Sequence, residues 1–281
     1  MSMKPRRTTA RRTGRRAARP ARRPIRPVPS AVPPAVNHPE PYVSVIIPAM
    51  NEEQTIEAVI AGARGVHSRC EVIVIVNGSA DRTAELARSC GADVIWYEQP
   101  LGHDAGRSVG AAAAKGEVLL FTDGDLVIPA AKLQPFVTAV SGGADLALND
   151  YSGPVRSRLP HPVVLSKHVL NLLLGRPDLK GCSLTAVPHA ISRRALEVLG
   201  SGLLSRPPLA HAQAVLNGLA VTAVHHVPVG RMNAVRRKAS GSDPLQEIIL
   251  RDHLDAAALV LEHRGGRAGF GDGTRRREWV R

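Results

Sequence analysis

The stretch 118–129, VLLFTDGDLVIP, limits what this chain can become more than any other. Its apolar start, Val118-Leu119-Leu120-Phe121, has the length and side chains of a fully buried strand. The strand opens into Asp123-Gly124-Asp125, with Pro129 shortly after. Two carboxylates one residue apart repel each other unless something positive sits beside them. A divalent metal carrying a phosphate would supply that charge. A plain polar turn is the competing reading, since Asp and Gly are turn residues in their own right.

What precedes this strand decides which sheet it joins. Residues 43–48, VSVIIP, are a β-branched run read as a first strand, followed by Asn51-Glu52-Glu53-Gln54-Thr55 and a helix to about residue 66. Residues 71–76, EVIVIV, make a second strand stopped by Asn77-Gly78-Ser79. Ser79 or Asp81 can cap the helix of about residues 82–90, and Gly91 closes it. A third strand covers 92–96, and Gly102-His103-Asp104 lead into an alanine-rich helix ending at Lys115-Gly116. Strand and helix alternate with short connections, which predicts an α/β fold with a mostly parallel sheet flanked by helices. Ligands of such sheets bind beyond the carboxyl ends of the strands. The polar stretches 48–52, 77–81 and 123–125 all fall there.

The second half gives weaker signals. A helix to about 140 precedes a short strand at 144–148 and a loop-like 149–162. An apolar helix at 163–174, a polar loop at 175–181 and a strand at 183–187 follow. Helices at 192–199 and 209–219, a strand at 221–229 and a basic loop at 231–242 lead to a last helix, from Pro244 to about 263.

The net charge of +13 is unevenly placed. Residues 1–40 hold ten Arg and one Lys against one Glu, or +10, and everything after them only +3. Frequent prolines forbid a long helix there, so 1–40 reads as a disordered Arg/Pro-rich tail. The body is expected over 41–265, with a flexible segment at 266–281. Basicity therefore does not argue that the body binds nucleic acid. The tail could touch nucleic acid, an anionic membrane or an acidic partner. No apolar run nears the roughly 20 residues that span a bilayer. Cys70, Cys90 and Cys182 are odd in number and widely spaced, with neither a disulfide framework nor a zinc pattern. A reducing cytoplasm fits, with peripheral membrane contact open to the tail.

The runs VSVIIPAMNEEQTIEAVI, EVIVIVNGSADRTAELA and GHDAGRSVGAAAAKGEVLLFTDGDL, in that order, resemble family 2 glycosyltransferases of the GT-A (Rossmann-like) fold over about residues 42–140. The resemblance implies an enzyme moving a hexose from a nucleotide diphosphate sugar, expected to be UDP-linked, to an acceptor the sequence does not name. It implies that Pro48, Ala49, Asn51 and Glu52 hold the ribose and base. Asn77, Gly78, Ser79 and Asp81 stand where the family commonly has Asp-Asp-Gly-Ser for the base, with Val76-Asn77 in place of the two aspartates. Gly102, His103, Asp104 and Arg107 match the segment ahead of the metal strand, Arg107 facing the phosphates. Asp123 and Gly124 belong to the donor site, and Asp123 and Asp125 to a site for Mg²⁺ or Mn²⁺, with Asp125 the direct ligand. His226 is a candidate third ligand, and Arg231 opens a basic loop expected to fold over the diphosphate.

Each assignment has a bland counterpart. Glu52 suits a helix start, Asp81 and Asp104 suit helix caps, and the arginines suit solvated loops. A lone histidine is more often structural than a ligand. An inverting transferase needs a carboxylate base on the acceptor side. Asp178, before Gly181, is the candidate and Asp150 its rival. A retaining enzyme resembling glucosyl-3-phosphoglycerate synthases needs none. A non-catalytic nucleotide-sugar-binding or scaffold protein is the alternative of another class, and the intact Asp123-Gly124-Asp125 speaks against it.

Overall fold

A computed structural model describes residues 36–155, 160–232 and 244–271. Nearly all of the expected tail lies outside them, as do most of the basic loop at 231–242 and most of the segment at 266–281. The first half follows the predicted order: β1 (Val43–Ala49), α1 (Ile56–Arg64), β2 (Cys70–Asn77), α2 (Thr83–Ser89), β3 (Asp93–Tyr97), α3 (Ala105–Ala113) and β4 (Val118–Phe121). Then come α4 (Ala130–Ser141), β5 (Leu146–Asn149), α5 (Pro162–Leu173), β6 (His189–Ser192) and α6 (Arg193–Leu199). The chain continues through α7 (Pro207–Leu216), β7 (Val221–His225), α8 (Val229–Met232) and α9 (Pro244–Arg264).

The described residues form a seven-stranded sheet in the order β3-β2-β1-β4-β6-β5-β7. β1 runs parallel to β2 and β4, β2 to β3, and β5 to β7. β6 alone is antiparallel to both its neighbours. The strand predicted at 183–187 thus lies later, at His189–Ser192. Pro188 brings no N–H to a ladder, so pairing begins just after it.

Alternating side chains along the strands fill two cores. Val43, Val45 and Ile47 of β1 join Val72, Val74 and Val76 of β2 and Phe136 of α4 on one face. Ile46, Ile73, Ile75, Leu119 and Phe121 join Ala195 of α6 and Ala210 of α7 on the other. A third cluster, with Leu170, Ala212, Ala256 and Val260, binds α5, α7 and α9 together.

The chain winds outward from β1 to β2 and β3, then returns to place β4 on the other side of β1. Such a switch point leaves a crevice beyond the carboxyl ends of the two inner strands. β1 outruns β4 there: Ile46 is opposite Phe121, and Pro48 and Ala49 lie further on. The Gly124 N–H donates to the Pro48 carbonyl at 3.0 Å, closing the two strand ends together. A side chain at Gly124 would put its Cβ 2.9 Å from Ala49 Cβ, so only glycine fits between the two aspartates.

Candidate active site at the strand ends

A cleft of about 520 Å³ opens at this switch point. It is lined by Pro48, Ala49, Met50, Asn51 and Glu52 from the end of β1, and by Asn77 from the end of β2. Pro100, Gly102 and His103 come from the loop before α3, Arg107 from its first turn, and Asp123, Gly124 and Asp125 from the loop after β4. Four stretches apart in sequence therefore meet in one depression. Met50 belongs to the 48–52 stretch expected at the ribose and base, while Pro100, just ahead of the Gly102 segment, is a lining residue the sequence did not mark.

Hydrogen bonds between loops hold this lining. The backbone N–H of Asn51 donates to Ser79 Oγ at 2.9 Å, and Asn51 Oδ1 accepts from the Ala80 N–H at 2.9 Å. Asn51 sits at φ 57°, a left-handed conformation that asparagine tolerates better than most residues. The Glu52 N–H donates to Thr83 Oγ1 at 2.8 Å, and the Glu53 N–H to Asp81 Oδ2 at 3.0 Å. Against the opposing pull of desolvation, hydrogen bonds from Thr83 and from the Glu53 backbone hold the Asp81 carboxyl below its usual range. Ser79 and Asp81, expected at the base, instead tie the loop after β2 to the loop after β1, and neither they nor Gly78 is among the residues lining the cleft. The Asp81-x-Thr83 spacing was the available signal for the Thr83 contact.

Asn77 works in a similar way. Its Nδ2 donates to the Gly102 carbonyl at 3.0 Å, and its Oδ1 accepts from the Leu101 N–H at 2.7 Å. An aspartate could not donate that first bond. Asparagine at this place thus shapes the 100–103 wall of the cleft.

Arg107 lines the cleft, and its guanidinium is held by carboxylates. It is buried, 3.1 Å from Asp104 Oδ1 and 3.5 Å from Asp123 Oδ1. Burial disfavours its charge, but the Asp104 and Asp123 carboxylates outweigh that and raise its pKa above the ordinary value. Asp104 does not line the cleft but holds Arg107 from behind, while His103 Nε2 lies 3.9 Å from Asp104 Oδ1.

The residues fit a hard divalent cation through their oxygens. Asp123 and Asp125 both face the cleft, and Glu52 lines it close by. Among the described residues no group of three His, Cys, Asp or Glu side chains converges as a cation cage. Carboxylate oxygens are the donors that Mg²⁺ or Mn²⁺ take, with substrate phosphates and water completing the shell. His226 is not brought to the pair. Its Nδ1 stands 2.6 Å from the Asp150 carbonyl and its ring tilts against Tyr151, outside the cleft lining.

The two candidate bases also stand outside that lining. Arg176 donates to both oxygens of Asp178, at 2.9 and 2.7 Å, on an exposed one-turn helix at Pro177–Leu179. That bond, more than the slight opposing effect of burial, lowers the Asp178 pKa. Asp150 Oδ1 lies 3.7 Å from the Cys182 thiol. Arg231 falls in α8, but its side chain is outside the described set, as are Arg236, Arg237 and Lys238.

A mostly parallel sheet whose switch point opens a cleft onto Asp123-Gly124-Asp125 defines a GT-A-type domain. Residues 44–157 match the model of glycosyl transferase family 2. Dolichyl-phosphate hexose transferase of Haloferax volcanii is 32% identical over 108 residues, 38% of this chain and 47% of that protein. Glucosyl-3-phosphoglycerate synthase of Mycobacterium tuberculosis is 33% identical over 128 residues, 41% of this chain and 39% of that one. The chain thus spans under half the length of these relatives. The crystal structure of the M. tuberculosis synthase with Mn²⁺, UDP and glucosyl-3-phosphoglycerate covers 83% of this chain and 82% of its own, with a TM-score of 0.55 and 25% identity.

Proposed function

We propose that residues 41–265 transfer a hexose from a nucleotide diphosphate sugar, UDP-linked, to a phosphate-bearing acceptor. The observation carrying this reading is the convergence of the Pro48–Glu52 stretch, Asn77 and Asp123-Gly124-Asp125 around one cleft. Structures of the M. tuberculosis synthase hold UDP with Mn²⁺ or with Mg²⁺, which supports both the nucleotide and the metal. A phosphate on the acceptor agrees with the relatives, whose names carry phosphoglycerate and dolichyl phosphate.

Asp123 and Asp125 would hold Mg²⁺ or Mn²⁺, which when bound stabilises negative charge on the leaving diphosphate. The chain's own residues prepare the site. Arg107 fixes Asp123 and offsets carboxylate repulsion before any ligand arrives. The bonds that the backbone N–H groups of 51–53 donate to Ser79, Thr83 and Asp81 set that backbone where a ribose and base would lie. Asn77 holds the opposite wall.

Turnover of UDP-hexoses with Mn²⁺ tests this. Asp125→Ala should keep its fold by circular dichroism and lose at least about 100-fold in metal-dependent turnover, the scale of losing a metal's charge stabilisation. Full turnover in that variant would refute the reading. Absence of any turnover or nucleotide-sugar binding in the wild type would favour a scaffold role.

Retention of anomeric configuration is the second reading. It is favoured by the position of Asp178, which is engaged by Arg176 and lies outside the cleft lining. Anomer analysis of the product separates it from inversion with Asp178 or Asp150 as base.

A further inference from the structure

The core beneath Arg107 holds a polar ring where an apolar one would pack. His189 opens β6, faces Phe121 across the β4–β6 ladder and stacks on its ring, with centroids 5.0 Å apart. It is 2% exposed, so its ring nitrogens must find partners inside the protein. Nδ1 lies 2.9 Å from the Ala186 carbonyl. A carbonyl can only accept, so Nδ1 carries the proton and Nε2 keeps a lone pair. Burial first, and then the Arg107 charge, hold the pKa down at about 3, so that lone pair stays bare at neutral pH. Among the described residues no group donates to it. A buried acceptor left without a donor is costly, which calls for a donor at this place.

A small cavity lies against that ring. His189, Arg107, Phe121, Leu184, Leu204 and Pro207 line it. Its volume, about 10 Å³, sits at the threshold for holding one water. A buried water also needs polar partners on more than one side. The side chains of Arg107 and His189 are the polar ones in this lining, the first a donor and the second an acceptor. Arg107 has N–H groups to spare, because its direct contacts are few and long. Nη1 meets Asp104 Oδ1 at 3.1 Å, and Nη2 meets Asp123 Oδ1 at 3.5 Å. Nη1 also reaches the Leu184 carbonyl at 3.5 Å, beyond the range of a strong hydrogen bond.

We infer that a single water in this cavity joins the Arg107 guanidinium to His189 Nε2, and that His189 is thereby a positioning residue for Asp123. The water accepts from the guanidinium and donates to the imidazole. Arg107 is then held from the core side as well as by Asp104, and that hold sets where its other end meets Asp123. The inference rests on the reading of Asp123 and Asp125 as the pair that holds a divalent cation.

Two variants of the full chain separate positioning from mere packing. His189→Phe keeps a ring to stack on Phe121 and removes the acceptor. His189→Gln gives up the ring and keeps one donor and one acceptor. The readout is the Mn²⁺ concentration giving half of the maximal thermal shift in the presence of UDP. In His189→Phe it should rise about tenfold, the lower end of what a hydrogen-bonded partner of a metal ligand is worth. In His189→Gln it should stay within about threefold of wild type, since the amide can still accept from the water. A packing role ranks the two variants the other way round. A wild-type value in His189→Phe, or an equal rise in both variants, would overturn the positioning role. A crystal structure of the wild type should show one water between Arg107 and His189 Nε2, and a dry cavity would overturn the link itself. No Mn²⁺-dependent shift in the wild type would sink the metal reading and the positioning role with it, while the water would still stand or fall on its electron density.

Discussion

The Arg107 guanidinium bridges Asp104 and Asp123, at 3.1 and 3.5 Å, with 7% of its side chain exposed. Removing one partner of a buried ion pair leaves the other charge uncompensated, which costs about 3 kcal/mol or more. Arg107→Met should therefore destabilise the protein by about that amount in urea unfolding and weaken the UDP–Mn²⁺ thermal shift as well. Arg107→Lys should fall between the two, because an ammonium keeps the charge but not the fork that reaches two carboxylates. The sequence marked Arg107 for the site, but spacing along a helix does not show which carboxylates will surround a side chain. Asn77, Ser79 and Asp81 carry the same lesson. Their place at a strand end was legible from the turn chemistry. Their partners belong to loops 24 to 28 residues away, and only the folded sheet brings those loops together.

Helix α3 carries Arg107, so its seating on the sheet sets where that charge sits. Gly110 is the contact point: a Cβ there would collide with Ile46 Cγ2 of β1 and lie 2.7 Å from Ile75 Cδ1 of β2. Gly110→Ala gains up to about 1 kcal/mol in helix propensity. Overpacking of a tight core typically costs about 1–3 kcal/mol, and the Ile46 collision argues for the upper part of that range. The expected net effect is a loss of about 1–2 kcal/mol, measured as a lower urea midpoint at unchanged slope. The alternation of strands and helices up to β4 was legible because each strand is a β-branched or apolar run bounded by turn residues. β6 was not. Its four residues, His-Ala-Ile-Ser, have no strand signature of their own, and antiparallel pairing between β4 and β5 makes them a strand. Tertiary context overrides propensity most easily in such short edgeless segments.

Across the whole molecule, the buried histidines set how the fold responds to acid. His189 stacks on Phe121 at 5.0 Å between ring centroids, and its Nδ1 lies 2.9 Å from the Ala186 carbonyl. Burial first, and then the Arg107 charge, push its pKa down to about 3. His211 packs against Asn171, with its Nδ1 buried and without a hydrogen-bond partner. Burial, followed by His253, Arg176 and Lys167, takes its pKa to about 3 as well. A proton on that Nδ1 would be a buried donor with no acceptor. Between about pH 3 and 6.5 the unfolded chain therefore binds more protons than the folded one, and stability rises with pH. The stabilisation is fully present above about pH 6.5 and declines as the pH falls towards 3, by about 1.4 kcal/mol per histidine per pH unit. Lowering the pH from 7.5 to 5.5 should thus cost about 3 kcal/mol in urea unfolding, from these two residues together. His211→Gln keeps a donor for Asn171 Oδ1 and removes the titration, so it should roughly halve that loss. An undiminished loss in His211→Gln would assign the acid sensitivity to other groups, with the lowered His168 and His253 the next to replace.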